Sequence, residues 1–385
     1  MDAIGPRAGR EEPNGTPRSR PGGPTGVRAS AAARWSALRA SARRLGAIAR
    51  KELIQLRRDR RSLVLMLAMP LVLLVIFGYG VRLEVSGIPA ELVGHDSALV
   101  RRALRAGGHF IVAARVAPTI AAGRADLTQG RTSVAVVVDA AGAPRAVLVD
   151  GSDAFTARSA LEYLQSLAAP GATAPVPVEI LFNPTLRSAD VMVPAEVGMI
   201  MLWVGTVATA LGVVRERETG TLEQLMMTPV RRLELMAGKL APYGLVTLFD
   251  AVVITVLGAL LFAVPLRGSP LALLLAAIFY LVSALAIGLL ISSVAQNQRQ
   301  ALQTATFVLL PQILLSGALF PLRAIPWGIR WVSEVSPLTF FTPAARGLFL
   351  KGVGLGDIWR DLAVLVGMAV AYTSLAVVTF RRRLD

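Results

Sequence analysis

The chain has 385 residues, 54% of them hydrophobic and 17% charged, against roughly 25% charged in soluble domains; an ordinary soluble protein is excluded and long uncharged runs are expected. Cysteine is absent and the only histidines are His95 and His109, which removes disulfides, thiolate chemistry and a histidine metal cage. The net charge of +15 would point to nucleic acid in a soluble protein, but in a membrane protein it anchors cytoplasmic loops, so no nucleic-acid partner is expected.

Residues 1–41 are rich in Pro, Gly, Ala and Arg without apolar periodicity, which predicts a disordered basic cytoplasmic tail. Over 42–62, Leu45, Ile48, Leu53 and Leu56 fall near helical spacing among Arg43, Arg44, Arg50, Lys51, Arg57 and Arg58. This predicts an amphipathic interfacial helix on the anionic inner leaflet, although a plain positive-inside anchor fits almost as well. Residues 63–81 carry no charged side chain and are long enough for a first span; the basic region before them is too long for a cleaved signal.

Residues 82–190 mix acids with bases. Strands are expected over 132–138 and 145–149, and a helix over 153–167, where Ala154, Ala157, Leu161, Leu164 and Leu167 keep helical spacing. This segment is read as a small α/β domain inserted between the first and second spans. Further spans are expected over 193–214, 240–264, 271–294, 301–320 and 362–380, about six in all at roughly 20 apolar residues per crossing. Residues 321–361 interleave Pro321, Pro326, Pro337 and Pro343 with Trp327, Trp331, Phe340, Phe341 and Trp359, the pattern of re-entrant or interfacial helices at headgroup level.

The expected fold class is therefore an α-helical polytopic membrane protein with an extracytoplasmic α/β domain. Basic residues before the first span, Arg215, Arg217, Arg231, Arg232 and Lys239 after the second, Arg299 after the fourth and Arg381, Arg382 and Arg383 at the end fall on one side. That side is the cytoplasm, with both termini in it. Arg323, Arg330, Arg346, Lys351 and Arg360 run against the asymmetry.

The loop 215–239 is longer than a tether requires. Thr221, with Glu223 and Gln224 following, starts a short helix whose apolar face is Leu222, Leu225 and Met226, and Pro229 ends it. Either it is a docking element, or Glu216, Glu218 and Glu223 merely pair with nearby arginines in water, where such pairs contribute little. Asp250 stands near the middle of the third span, where a carboxylate is costly unless it faces protein or water. Thr247 and Tyr243 share its face. Asp250, Thr247 and Tyr243 line a transport path or hold a proton, or Asp250 is a structural contact between helices or subunits. Gly198, Gly205 and Gly212 recur at heptad spacing, which permits close helix approach, at a dimer seam or equally within one subunit. Gln296, Asn297, Gln298 and Gln300 are read as a polar turn and nothing more.

No phosphate-binding loop is present: Gly238-Lys239 is followed by Leu240 and lacks the upstream glycine. The run Arg215 to Leu225, with Thr228-Pro229, Glu234, Gly238-Lys239 and Pro242-Tyr243, resembles the signature of ABC-2-type transporter permeases. Asn183-Pro184-Thr185-Leu186-Arg187-Ser188 running into Val193-Pro194, Val149-Asp150-Gly151-Ser152-Asp153, and Leu315-Ser316-Gly317-Ala318-Leu319-Phe320-Pro321 are similar to its multidrug-export branch. So are Ile325-Pro326-Trp327 and Ser336-Pro337-Leu338. The resemblance runs from Ala47 to the C-terminus, with the ABC-2 transmembrane domain over 145–383.

The resemblance implies a non-enzymatic permease of an exporter in the bacterial cytoplasmic (inner) membrane. A cytoplasmic ABC ATPase subunit binds the ATP, so no cofactor is expected in this chain. A second permease copy or paralogue completes the pair, surrounded by membrane lipid. It also implies that Glu216, Glu218, Gly220, Thr221, Leu222, Glu223 and Pro229 couple the ATPase to the spans. Drug-like or amphiphilic cargo is expected on resemblance alone, and the outer domain offers a surface to a periplasmic adaptor protein. For Asp250 the structural-contact reading is preferred, because an ATP-driven exporter needs no proton relay; the alternative is a proton-coupled secondary transporter using Asp250. An intramembrane enzyme would need acids, nucleophiles or metal ligands within the spans that this sequence lacks.

Overall fold

The computed structural model describes residues 85–167, 176–220 and 232–381, all within one compact unit, Val64–Asp385. The expected tail 1–41, amphipathic helix 42–62 and first span 63–81 lie outside the described residues, as do Thr221, Leu222, Glu223 and Pro229.

The first part is an α/β domain. Strands β1 (Ile88–Gly94), β2 (Phe110–Ala117), β3 (Val134–Val138), β4 (Pro144–Asp150) and β5 (Val178–Leu181) alternate with helices α1 (Ala98–Ala106), α2 (Ile120–Thr128) and α3 (Ala154–Leu167). They form one sheet in the order β2-β1-β3-β4-β5. Strand β1 is parallel to β2 and β3, β3 is antiparallel to β4, and β4 is parallel to β5. Parallel neighbours need a crossover, and the three helices supply them. Ser97 and Thr119 start α1 and α2 by accepting from Val100 N and Ala122 N. The β3–β4 turn is held by Asp139, whose Oδ1 accepts from Ala141 N and Ala143 N, each at 2.9 Å.

Both faces of the sheet are covered, which is why β3 reads as an unbroken apolar run instead of an alternating one. Val134, Val136 and Val138 pack with Val100 and Leu104 of α1 and Ala157 and Ala160 of α3. Ala135 and Val137 turn to the other face, with Leu127 and Ala122 of α2. Each fully buried valine stabilises the domain by roughly 1.5–3 kcal/mol relative to exposure.

The second part is helical: α4 (Ser188–Glu218), α5 (Arg232–Phe262), α6 (Pro270–Val294), α7 (Gln298–Leu315), a 3-10 turn (Leu322–Ala324), α8 (Trp327–Glu334), α9 (Pro337–Arg346), a π turn (Gly347–Lys351) and α10 (Leu355–Arg381). Among the described residues four helical segments are long and apolar enough to cross a membrane: Ser188–Glu218, Leu240–Phe262, Pro270–Val294 and Leu355–Thr379. Even the shortest has 23 residues, about 34 Å at 1.5 Å per residue. The expected span 301–320 is instead the 18-residue helix Gln298–Leu315. Ser316 caps it, and Gly317, at φ +86°, takes the left-handed turn that only glycine adopts freely.

Helices α4 and α6 form the centre, with 56% and 67% of their apolar stretch buried, whereas α5 and α10 have 17% each. The contact of α4 with α6 is close because small side chains line it. Thr206 Oγ1 donates to Ala284 O at 2.9 Å, and the buried Tyr280 hydroxyl donates to Gly198 O at 2.8 Å. Tyr280 also stacks on Phe341 of α9, ring centroids 4.5 Å apart.

The two parts meet through cations that donate to backbone carbonyls. Arg187, just ahead of α4, reaches Phe262 O at the end of α5 at 2.8 Å, while within the helical part Arg267 reaches Leu350 O at 2.9 Å. Lys351 Nζ donates to Asp150 Oδ2 at 2.6 Å and to Leu127 O at 2.9 Å, and lies 5.1 Å from the Phe182 ring centroid. Carbonyls in a last helical turn lack intrahelical donors, and a cation there also meets the negative end of the helix dipole. Phe182 and Leu186 hold positive φ on either side of Asn183-Pro184-Thr185, an uncommon backbone for such residues. Asn183 closes that turn by accepting from Arg187 N at 2.9 Å and donating to Arg187 O at 3.1 Å.

Candidate functional site

The expected coupling loop 215–239 is described at its two ends, and both are helical: α4 runs on to Glu218 and α5 begins at Arg232, so the helices extend into the stretch expected as loop. Arg217 and Glu218 are adjacent in sequence and grip the two ends of the α6–α7 corner. Arg217 Nη1 donates to Ala295 O, the cap of α6, at 3.1 Å. The Glu218 carboxylate accepts from Gln298 N at 3.0 Å and from Gln298 Nε2 at 2.6 Å, at the start of α7. The signs match the helix ends, with a cation on a C-terminal carbonyl and an anion at an N-terminus. Asn297 Oδ1 accepts from Gln300 N at 2.8 Å, and Gln300 Oε1 accepts from Gln296 N at 2.8 Å. The polar turn is therefore a latch, not the bare turn expected from its composition. Three helix ends are tied together by side chains whose partners lie far away in sequence, a pairing no local pattern announces.

Helix α4 stops here for a local reason. Thr219 N donates to Arg215 O at 3.0 Å, and Gly220, at φ +72°, donates its N–H to Arg217 O at 3.2 Å. This is the glycine stop of a helix C-terminus. The Glu216 carbonyl accepts from Thr219 Oγ1 at 3.2 Å.

Tyr243, Thr247 and Asp250 lie on α5 but are not equivalent. Thr247 is fully buried, and its Oγ1 donates to Tyr243 O at 2.8 Å. The Tyr243 hydroxyl lies against Gly212, where an added Cβ would come within 2.1 Å of it. Asp250 is half-buried at the edge of this face, next to the exposed Phe249, with no hydrogen-bond or ion-pair partner among the described residues.

The heptad glycines all face neighbours in the same chain. A Cβ at Gly198 would meet Leu338 and Phe341, one at Gly205 would meet Ala284 and Leu281, and one at Gly212 would meet Tyr243. Of the two readings of this spacing, packing within the subunit is the one realised at these positions.

Comparison with known proteins adds the following. The sequence model of the family described as "ABC-2 family transporter protein" matches residues 60–378. A protein of Escherichia coli (strain K12), named "Probable multidrug ABC transporter permease YbhS", is 31% identical over 374 residues, covering 89% of this chain and 98% of its own length. From the same organism, "Probable multidrug ABC transporter permease YbhR" is 27% identical over 363 residues, 88% of this chain and 99% of its own. "ABC transporter G family member 20" of Dictyostelium discoideum is 26% identical over 203 residues, 52% of this chain and 28% of its own.

Proposed function

Because the chain belongs to the ABC-2 family of transporter proteins and is a membrane permease of an ABC transporter, we propose that it is the membrane-spanning half of an exporter driven by a separate ATPase subunit. Two permeases, copies or paralogues, pair in the bacterial cytoplasmic membrane with about six crossings each and both termini in the cytoplasm. The α/β domain lies on the outer side, where a periplasmic adaptor binds it. The cargo is a drug-like or amphiphilic molecule.

The observation that carries this reading is the grip of Arg217 and Glu218 on the α6–α7 corner. A push on the segment after Gly220 is passed to α4, α6 and α7 together instead of bending one helix. Such a rigid block is what alternating access needs: each ATPase state favours one packing of the bundle. Glu216, Thr221, Leu222, Glu223 and Pro229 present the docking surface, and Glu218 transmits from it.

The test is purification of the full chain from gently solubilised membranes, followed by an ATPase assay on whatever accompanies it. An ATPase should co-purify. Changing Glu216 and Glu223 to Ala should weaken its retention. Glu218→Ala should keep the partner but lower cargo-stimulated hydrolysis by about tenfold, the loss of one charge-assisted hydrogen-bonded contact. A clean protein with no ATPase defeats the exporter reading. In that event transport that is lost in Asp250→Asn would identify a proton-coupled carrier, the reading that the unpartnered Asp250 supports.

A further inference from the structure

Between the α/β domain and the helices lies a cavity of about 320 Å³, at the low end of the range for ligand pockets. Segments singled out in the sequence for their motifs, but given no role by the coupling mechanism, meet there. Ser152 and Asp153 come from the start of α3, Gly317 from the turn after α7, Arg323 from the 3-10 turn, and Thr339 and Arg346 from one face of α9.

The charge in this cavity is unbalanced. Arg346 donates to Ala318 O at 2.8 Å and to Gly317 O and Val191 O, each at 3.3 Å. Arg323 donates to Gly87 O. These partners are neutral carbonyls, and among the described residues neither guanidinium has a carboxylate in ion-pairing contact. The nearby acids are already engaged. Asp150 is paired with Lys351. Asp153 lines the cavity and its charge acts on both Arg323 and Arg346, offsetting one of the two, but it bonds neither and caps α3, accepting from Phe155 N at 3.2 Å, Thr156 N at 3.4 Å and Thr156 Oγ1 at 2.7 Å. Thr339, 6% exposed, also lines this space, and its Oγ1 has no hydrogen-bond partner among the described residues. A buried hydroxyl left unpaired costs about 1–3 kcal/mol, and one on a cavity wall beside two arginines marks a missing acceptor.

We propose that this cavity is an oxyanion site: Arg346, Arg323 and Thr339 together bind one phosphate or carboxylate group, of the size of an anionic amphiphile's headgroup. Arginine forks suit such planar or tetrahedral oxyanions, and the threonine supplies a third donor. The volume admits a headgroup but not a whole lipid, so an acyl tail stays outside. Trp327 and Trp331, 92% and 63% exposed on α8, follow the 3-10 turn that carries Arg323, and exposed tryptophans are typical of headgroup depth. The site makes no use of the coupling segment, and its test does not depend on the exporter reading.

The test uses the full chain in nanodiscs of neutral phosphatidylcholine, with thermal unfolding followed at matched ionic strength in chloride. One arm adds inorganic phosphate and the other replaces part of the lipid with phosphatidylglycerol. The melting temperature should rise in at least one arm. A rise with phosphate alone identifies a free oxyanion as sufficient, and a rise only with phosphatidylglycerol identifies a lipid headgroup. Thr339→Val should melt no lower than the wild type without anion, because the lost hydroxyl had no partner, yet should need about tenfold more anion for the same rise. Arg323→Gln, at the exposed rim, should act in the same direction. No rise in either arm, or an equal rise in wild type and both variants, overturns the proposal.

Discussion

Single buried charges are the residues where this fold can be probed most sharply. Glu91 points from β1 towards α2, 5% exposed, with Oε1 unpartnered and Asp126 beside it. Burial first, and then the Asp126 carboxylate, push its carboxyl from the ordinary 4.5 up to about 7, while Arg115 and Arg131 pull the other way. Between those two values the folded chain holds a proton that the unfolded chain has released. Stability therefore falls as pH rises through that window and levels off above it. Glu91→Gln keeps the shape and the neutral form. It should flatten the slope and raise stability at pH 8 by on the order of 1 kcal/mol, read from melting curves at pH 5 and pH 8. An unchanged slope would mean that Glu91 is ionised throughout.

Among elements, the α4–α6 pair sets how tightly the bundle can close. A Cβ at Gly288 of α6 would lie 2.6 Å from Thr206 O and 2.7 Å from Thr209 Cβ. The first obstacle is backbone and cannot rotate away. Gly288→Ala should destabilise by about 1–3 kcal/mol, the usual cost of overpacking, measured by thermal unfolding in detergent. Gly328 of α8 has open space around it, so Gly328→Ala should leave stability unchanged or raise it by up to about 1 kcal/mol through helix propensity. If both variants melt alike, the close α4–α6 contact is not the limiting one.

At the scale of the whole molecule, the α/β domain and the helices are joined by Arg323, which donates to Gly87 O, and by Lys351, which donates to Asp150 and to Leu127 O. Arg323, Arg346 and Lys351 run against the positive-inside pattern, yet each is occupied locally by carbonyls or by Asp150. Lys351 and Asp150 are only 9% and 10% exposed at their side chains. Lys351→Met leaves a buried carboxylate without its cation and should cost about 3–5 kcal/mol. The double change with Asp150→Asn should recover most of that loss, since it removes the stranded charge. Failure of the second change to rescue would show that Lys351 acts chiefly through Leu127 O. The Arg217–Glu218 latch belongs to the same scale, because it turns three helix ends into one body.

Much of this architecture is determined by the sequence alone, because it rests on local or periodic physics. Apolar runs of spanning length reappear within α4, α5, α6 and α10. The runs at 132–138 and 145–149 became β3 and β4, and the spacing of 153–167 became α3. The turn chemistry that stops α4 at Gly220 is also local. Pairings across long sequence separations were decided only by the tertiary structure. Glu218 meets Gln298, Lys351 meets Asp150, and residues from separate stretches of chain close around one cavity. Alternatives that the sequence left level, such as what the heptad glycines pack against, were likewise settled by packing. Hydrogen bonds and side-chain volumes act between neighbours in space, and spacing along one helix does not say which neighbour it will have.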